Sequence, residues 1–194
     1  MSAALSMMNG ACLSGLRMNA EGFLALGETR DRYELVDGVV LMSPSPSFPH
    51  QRVITEVLYQ LESWRRAGGA AIATSECDVR FSPSVVYRPD VVAYLAGRLP
   101  RAARTLDIAP DLIVEIVSPG SRAMDFVTKR DDYERFGVSE YWVIDGETGT
   151  VRAWDRAANR LVERAVDVGA RRLESRAIAG FLLDLAGVRE ACGG

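Results

Sequence analysis

The sequence has almost no lysine and almost no histidine: among 23 basic residues Lys129 is the one lysine, and His50 is the one histidine. Cysteine is scarce as well. Cys12, Cys77 and Cys192 lie far apart and form no CxxC pair, which argues against both a disulfide framework and a structural zinc site. No apolar run approaches the ~18 residues that a membrane helix needs, so no membrane association is expected. The opening stretch MSAALSMMNGACLSGL lacks the basic start and long apolar segment of a secretory signal, and a cytoplasmic protein is expected. Positive charge is not in surplus either, with 26 acidic residues against 23 basic and a net charge of −3. That removes a global signal for nucleic acid but leaves room for a local basic groove, because the field that matters is the one where a ligand docks. What remains is ordinary for one globular domain: 194 residues, 48% hydrophobic and 25% charged, which speaks against disordered and fibrous classes.

The pattern along the chain predicts a mixed α/β domain. Residues 1–17 carry little pattern and read as a flexible tail ahead of a single domain over 18–190; translation could start at Met1 or at Met18. Asn19 is a good N-cap for a short helix through Phe23, Leu24 and Leu26. Asp37-Gly38 between Tyr33–Val36 and Val39–Met42 signals a two-residue hairpin, because a type I′ turn needs positive φ. After a Ser/Pro loop, Val53, Ile54, Val57, Leu58, Leu61 and Trp64 recur with helical period from about Phe48 to Ala67, and Gly68-Gly69 closes the helix. One strand is expected over 71–82, ending at Pro83, and another over 88–95. A loop spans 97–110. The nearly unbroken apolar run 111–117 has the signature of a strand buried on both faces, and Ser118-Pro119-Gly120 breaks it. A helix from about Ser121 to Phe136, a strand over Glu140–Asp145, weaker strands near 150–155 and 160–166, and an apolar closing segment over 178–185 complete the chain. The expected architecture is a central mixed sheet flanked by helices, with an N-terminal hairpin.

Glu115 interrupts that apolar strand. A buried carboxylate without partners costs several kcal/mol or more, by order of magnitude, unless a metal or a cation compensates it; a structural salt bridge is the plain alternative. Asp90 lies where an extended segment enters the preceding apolar strand, as a ligand or merely as a strand-entry residue. Two carboxylates on neighbouring strands could share a divalent cation, since Mg²⁺ takes hard oxygen ligands. Lys129 stands fourteen residues after Glu115, i,i+4 from Asp125, with Tyr133 on the same stripe. Either it makes a surface ion pair worth ~0.3–0.5 kcal/mol, or its ammonium reaches back toward the carboxylates. Its survival as lysine among arginines favours a role that needs a compact charge. Glu34 is either a further acidic member or an exposed strand residue. His50, at the start of the long helix, either positions a phosphate or is a capping histidine. Gln51 and Ser118 are supporting candidates. Trp64, Trp142 and Trp154 read as packing residues, and Arg65-Arg66 and Arg171-Arg172 as solvated pairs that could meet a phosphate. A Ser-His-Asp hydrolase would have to use His50, and no Gly-x-Ser-x-Gly elbow supports one.

The segments YELVDGVVLMSPSP, PHQRV, RPDVVAYL, APDLIVEIVSPGS, D-x3-K-x3-Y and GVSEYWVID, in this order, resemble the Uma family of restriction-endonuclease-like proteins, within the PD-(D/E)XK nuclease superfamily. The resemblance covers about residues 18–188. It implies a four-strand nuclease core, a metal held by Asp90 and Glu115, Glu34 as the glutamate of the hairpin motif, and Mg²⁺ or Mn²⁺ as cofactor. The superfamily lysine, expected two residues after the glutamate, is replaced by Val117, and the resemblance assigns its role to Lys129. The implied activity is metal-dependent hydrolysis of DNA phosphodiester bonds, with a homodimer acting on two strands. Two alternatives stand beside it: a nuclease fold that binds or assembles without turnover, which the weak basicity favours, and a hydrolase of small phosphoesters.

Overall fold

The computed structural model describes residues 12–29, 31–99, 105–118 and 121–193. Most of the expected tail, the middle of the 97–110 loop and the Pro119-Gly120 break lie outside the described residues.

The chain begins by docking on its own hairpin. Leu13 is buried, the Gly15 N–H donates to the Val40 carbonyl at 2.7 Å and Arg17 bridges to Val39, so residues 13–17 are packed against the hairpin where a tail was expected. Helix α1 (Ala20–Leu24) is capped by the Asn19 side chain, which accepts from the Gly22 N–H. Strands β1 (Tyr33–Val36) and β2 (Val39–Met42) meet at Asp37 and Gly38, with φ of 47° and 76°, the type I′ geometry that this pair favours. Helix α2 (Phe48–Arg66) starts at its Ser47 cap and buries Val53, Ile54, Val57 and Leu61.

The segment expected to be one strand over 71–82 is two. β3 (Ala71–Thr74) and β4 (Val79–Ser82) belong to different sheets. The polar break at Ser75–Asp78, with Glu76 in the left-handed region at φ 54°, redirects the chain between them. β5 (Val85–Tyr87) follows a tight turn at Pro83-Ser84, and its three residues are too few for a sequence pattern. β6 (Val91–Leu95) and β7 (Leu112–Val117) come next. The expected helix exists as a π-helical stretch, Met124–Lys129, running directly into α3 (Arg130–Phe136), which stops at Gly137 in the left-handed conformation. β8 (Glu140–Asp145), β9 (Val151–Ala157), β10 (Arg160–Arg164) and the small ribbon β11 (Arg172–Glu174) and β12 (Leu182–Asp184) follow. The closing apolar segment is not one element. Asp184 accepts from the Ala186 N–H and caps helix α4 (Leu185–Ala191).

The expected four-strand core is part of a six-stranded sheet, in the order β10-β9-β8-β7-β6-β3. Its β7–β8 pair is parallel and the rest antiparallel. A second sheet, β2-β1-β5-β4, carries the hairpin. Every residue of β7 is buried. Leu112, Val114 and Ile116 face the core built with Val53, Val57 and Leu61 of α2 and Val188 of α4. Ile113 and Val117 face the other core, with Tyr133, Tyr141 and Trp154. Each such apolar side chain contributes about 1.5–3 kcal/mol on burial. By strand alternation Glu115 belongs to this second face. Trp64, Trp142 and Trp154 pack in these cores, as their strand and helix positions suggested. No described helix is long and apolar enough to cross a membrane.

Candidate active site

Register places the first two carboxylates. β6 and β7 pair Val91 with Val114 and Val92 with Ile113, so one step further sets Asp90 opposite Glu115. The Ile116 N–H donates to Asp90 Oδ2 at 2.8 Å, and the Asp90 N–H lies 3.4 Å from Glu115 Oε2. Both side chains are buried, at 4% and 2% exposure.

Topology places the lysine. A parallel pair cannot be joined by a hairpin; β7 and β8 need a crossover that packs on one face of the sheet. That crossover is the π/α3 helix. Its Tyr133 hydroxyl donates to Glu115 Oε1 at 2.8 Å, and its Lys129 Nζ sits 3.0 Å from the same oxygen. The wider π turn, a winding often found at functional sites, carries both Lys129 and Asp125, whose Oδ1 lies 3.5 Å from Nζ. This pair is buried, in contrast to the surface pair that i,i+4 spacing allows. Glu34 reaches in from β1: its Oε1 is 3.1 Å from Lys129 Nζ and accepts from the Arg88 N–H at 2.9 Å. At 5% exposure Glu34 is a member of the cluster and not a solvent-facing strand residue.

On the opposite side, His50 Nε2 approaches Asp90 Oδ1 to 3.2 Å, and Arg32 Nη2 lies 3.4 Å from the same oxygen. These groups open onto a cleft of about 390 Å³ walled by the Ser43–Ser47 loop, Ser118 and Ser121. Ser118 thus borders the cleft, its N–H donating to Ser121 Oγ at 3.2 Å. Gln51 is not brought in; it lines a separate groove with Phe48 and Glu56. Val117, at the superfamily's usual lysine position, is packed in the core. Arg32 escaped the sequence reading, because nothing in its spacing links it to Asp90. Asp125 was visible only as the i,i+4 partner of Lys129.

Four buried carboxylates, Glu34, Asp90, Glu115 and Asp125, share this site with two permanent cations, Lys129 and Arg32. The imbalance has consequences for protonation. Burial pushes the Glu115 carboxyl up to about 8; Lys129 opposes the shift, and Asp90, Asp125 and Glu34 reinforce it. Asp125 is raised by burial as well. Asp90 goes the other way: burial would raise it, but His50, Arg32 and the Ile116 N–H together hold it below the usual range. Lys129 would be lowered by burial, yet Glu115, Glu34 and Asp125 keep it well above its ordinary value. It is a fixed positive charge and not a base.

The donor set suits a hard divalent cation. Among the described residues no group of three or more His, Cys, Asp or Glu is arranged around a metal position. Mg²⁺-type sites, however, commonly use one or two carboxylates with water and substrate oxygens. Of the two central carboxylates, one oxygen each is tied to the protein: Asp90 Oδ2 to the Ile116 N–H, Glu115 Oε1 to Lys129 and Tyr133. Asp90 Oδ1, 3.2 Å from His50 Nε2 and 3.4 Å from Arg32 Nη2, and Glu115 Oε2, 3.4 Å from the Asp90 N–H, are the more loosely held pair that could share a cation.

A mixed sheet with carboxylates at facing positions of adjacent strands, and a lysine returned over them by the crossover helix, defines a nuclease-like α/β domain. Residues 20–186 match the family model of Uma2, described as "Putative restriction endonuclease", and the chain belongs to this family. A solved structure from Anabaena variabilis ATCC 29413, described as a putative nuclease belonging to DUF820, has a TM-score of 0.77 at 21% identity, covering 90% of this chain and 99% of that one; the two share a fold. No curated protein matches the chain.

Proposed function

We propose that this protein is a Mg²⁺- or Mn²⁺-dependent endonuclease that hydrolyses DNA phosphodiester bonds in the cytoplasm, acting as a homodimer. The observation that carries this reading is the excess of buried carboxylates over cations beside an open cleft, with Asp90 and Glu115 at facing positions of adjacent strands and the Asp90 N–H 3.4 Å from Glu115 Oε2. Asp90 and Glu115 would hold the metal, which when bound lowers the pKa of a water and polarises the phosphate.

The chain's own residues do the rest. Lys129 anchors Glu115 Oε1 and would offer a permanent positive charge toward the phosphate as negative charge grows on it, an interaction that the burial of the ammonium strengthens. Tyr133 fixes the same oxygen, so that Glu115 presents its other oxygen in one orientation. Glu34 and Asp125 hold the ammonium in place. Ser118 and the Ser43–Ser47 loop bound the cleft without adding charge, so affinity for a strand must come from the cations inside it.

Calorimetric titration of Mn²⁺ into wild type and Glu115→Gln tests the site, followed by cleavage of mixed-sequence DNA. Binding lost in Glu115→Gln, with cleavage lost in both Glu115→Gln and Lys129→Ala, is the expected result. Cleavage that survives both substitutions would reject the assignment. Mn²⁺ binding without cleavage of any DNA would favour a non-catalytic module, and turnover of a chromogenic phosphodiester without DNA binding would favour a small-molecule hydrolase.

A further inference from the structure

Among the described residues that line the cleft, the basic ones are Arg32, His50 and Lys129. Lys129 is enclosed by three carboxylates. Arg32 is held differently. Its Nη2 donates to the Arg88 carbonyl, but its two carboxylate partners are far off for charge-assisted bonds, which normally fall near 2.7–2.9 Å: Asp90 Oδ1 at 3.4 Å and Glu76 Oε1 at 3.3 Å. Its Nε is buried and has no partner among the described residues. Glu76 is half exposed and sits on a left-handed backbone at φ 54°, a conformation costly for a residue other than glycine. The nearby His50 Nε2 is likewise without an aligned acceptor. A buried guanidinium with an unused donor costs free energy, and Arg32 lines the cleft that a phosphate would enter.

We propose that Arg32 is the phosphate-binding residue of the cleft, and that its loose pairing with Asp90 is a holding position. The proposal rests on the nuclease reading and deepens it. The charge on Arg32 lies against the very oxygen of Asp90 that is left for a divalent cation. A cation there repels the guanidinium and takes over its counter-charge. Arg32, still tethered by the Arg88 carbonyl, then turns its free N–H groups to a non-bridging oxygen of a DNA strand. The fork geometry suits a phosphate better than an ammonium would. Uptake of the cation and capture of the phosphate are thereby linked through one side chain, and Arg32 should oppose the first and promote the second.

The test uses the full chain and two ligands. Mn²⁺ is titrated into wild type, Arg32→Gln, Arg32→Lys and Glu76→Gln by calorimetry. A short phosphorothioate DNA strand, which resists hydrolysis, is then titrated with Mn²⁺ present and again in chelator. Arg32→Gln should bind Mn²⁺ several-fold more tightly and the strand about tenfold more weakly. Arg32→Lys should recover only part of the strand affinity. Glu76→Gln alters an exposed side chain, leaves the fold intact, and should strengthen strand binding. If Arg32→Gln weakens Mn²⁺ binding while strand binding is unchanged, or changes neither, the proposal is overturned and Arg32 merely supports Asp90. Inorganic phosphate that binds as tightly as the strand, with the same dependence on Arg32, would make the ligand a free phosphate and overturn the strand assignment. Failure of the nuclease reading shows separately, as wild type whose Mn²⁺ binding does not depend on Glu115. The chelator titration decides the role of Arg32 in that case too.

Discussion

Glu115 in β7 and Glu140 in β8 lie in the same parallel strand pair, Glu140 in register with Leu112 and Glu115 with Val143. Both are buried. Glu140 has both oxygens filled: Oε1 accepts from Trp142 Nε1 at 2.7 Å and Arg164 Nη2 at 2.9 Å, and Oε2 from Ser175 Oγ and from the N–H groups of Arg176 and Ala177 at 3.0 Å each. Burial still holds its carboxyl above the usual range, against the pull of those donors. Glu115 has one oxygen anchored by Lys129 and Tyr133, the other nearly free, and two further carboxylates, Glu34 and Asp125, around its lysine. The first glutamate stitches the 175–177 turn to the sheet. The second stands in a site with more carboxylates than cations to balance them. A buried carboxylate is therefore not diagnostic by itself; the count of donors against like charges separates structure from chemistry.

The contrast can be pressed from both ends. The largest effect is expected at the lysine. Lys129→Met removes the positive charge of the cleft floor and should lower DNA cleavage about a hundredfold or more, read as initial rates on a plasmid substrate. Glu140→Gln should leave cleavage and Mn²⁺ binding unchanged while destabilising the fold by about 3 kcal/mol, since Arg164 loses its buried counter-charge; urea unfolding measures it. Lost Mn²⁺ binding in that variant would break the distinction between the two glutamates.

A pH series sharpens it. With Glu115 at about 8 in the folded chain against 4.5 for an ordinary glutamate, the folded state holds a proton that the unfolded state releases. Stability of the chelated protein should fall as pH rises from about 4.5 to 8, and this fall should flatten in Glu115→Gln. Mn²⁺ displaces the same proton, so its affinity should climb toward pH 8 and level off above it; an affinity flat across that range would show Glu115 already ionised. The smallest effect is expected for Tyr133→Phe. Loss of one donor to Glu115 Oε1, worth about 1 kcal/mol, makes ionisation harder and should weaken Mn²⁺ binding at pH 7 by several-fold in calorimetry.

Much of the site was legible because its signals are local. An acidic residue inside LIVEIV violates the apolar pattern of a buried strand, Pro89-Asp90 marks a strand entry, and a lone lysine stands out among arginines. The Asp37-Gly38 turn and the amphipathic period of α2 follow from backbone sterics and side-chain spacing. Glu140 was hidden in plain view: as the first residue of a strand it breaks no pattern, and its five donors come from the strand itself, β10 and the 175–177 turn. Arg32 was equally silent, because its neighbours Asp90, Glu76 and Arg88 are distant in sequence. The division of 71–82 into two strands, and the π turn at Met124–Lys129, each depend on what the segment packs against.

By itself the sequence determined the alternating faces of β7, the hairpin and its turn, the capped helices, and the presence of two carboxylates and one lysine in the right order. Those features are set by periodicity and turn chemistry over a few residues. The tertiary structure alone decided that Asp90 faces Glu115, that the crossover brings Lys129 onto Glu115 and Glu34 together, that Gln51 turns away, and that Arg32 lies loosely against Asp90. Strand register and the packing of a crossover on a sheet are properties of chain segments far apart in sequence, and the balance of charge in a buried site exists only once those segments have met.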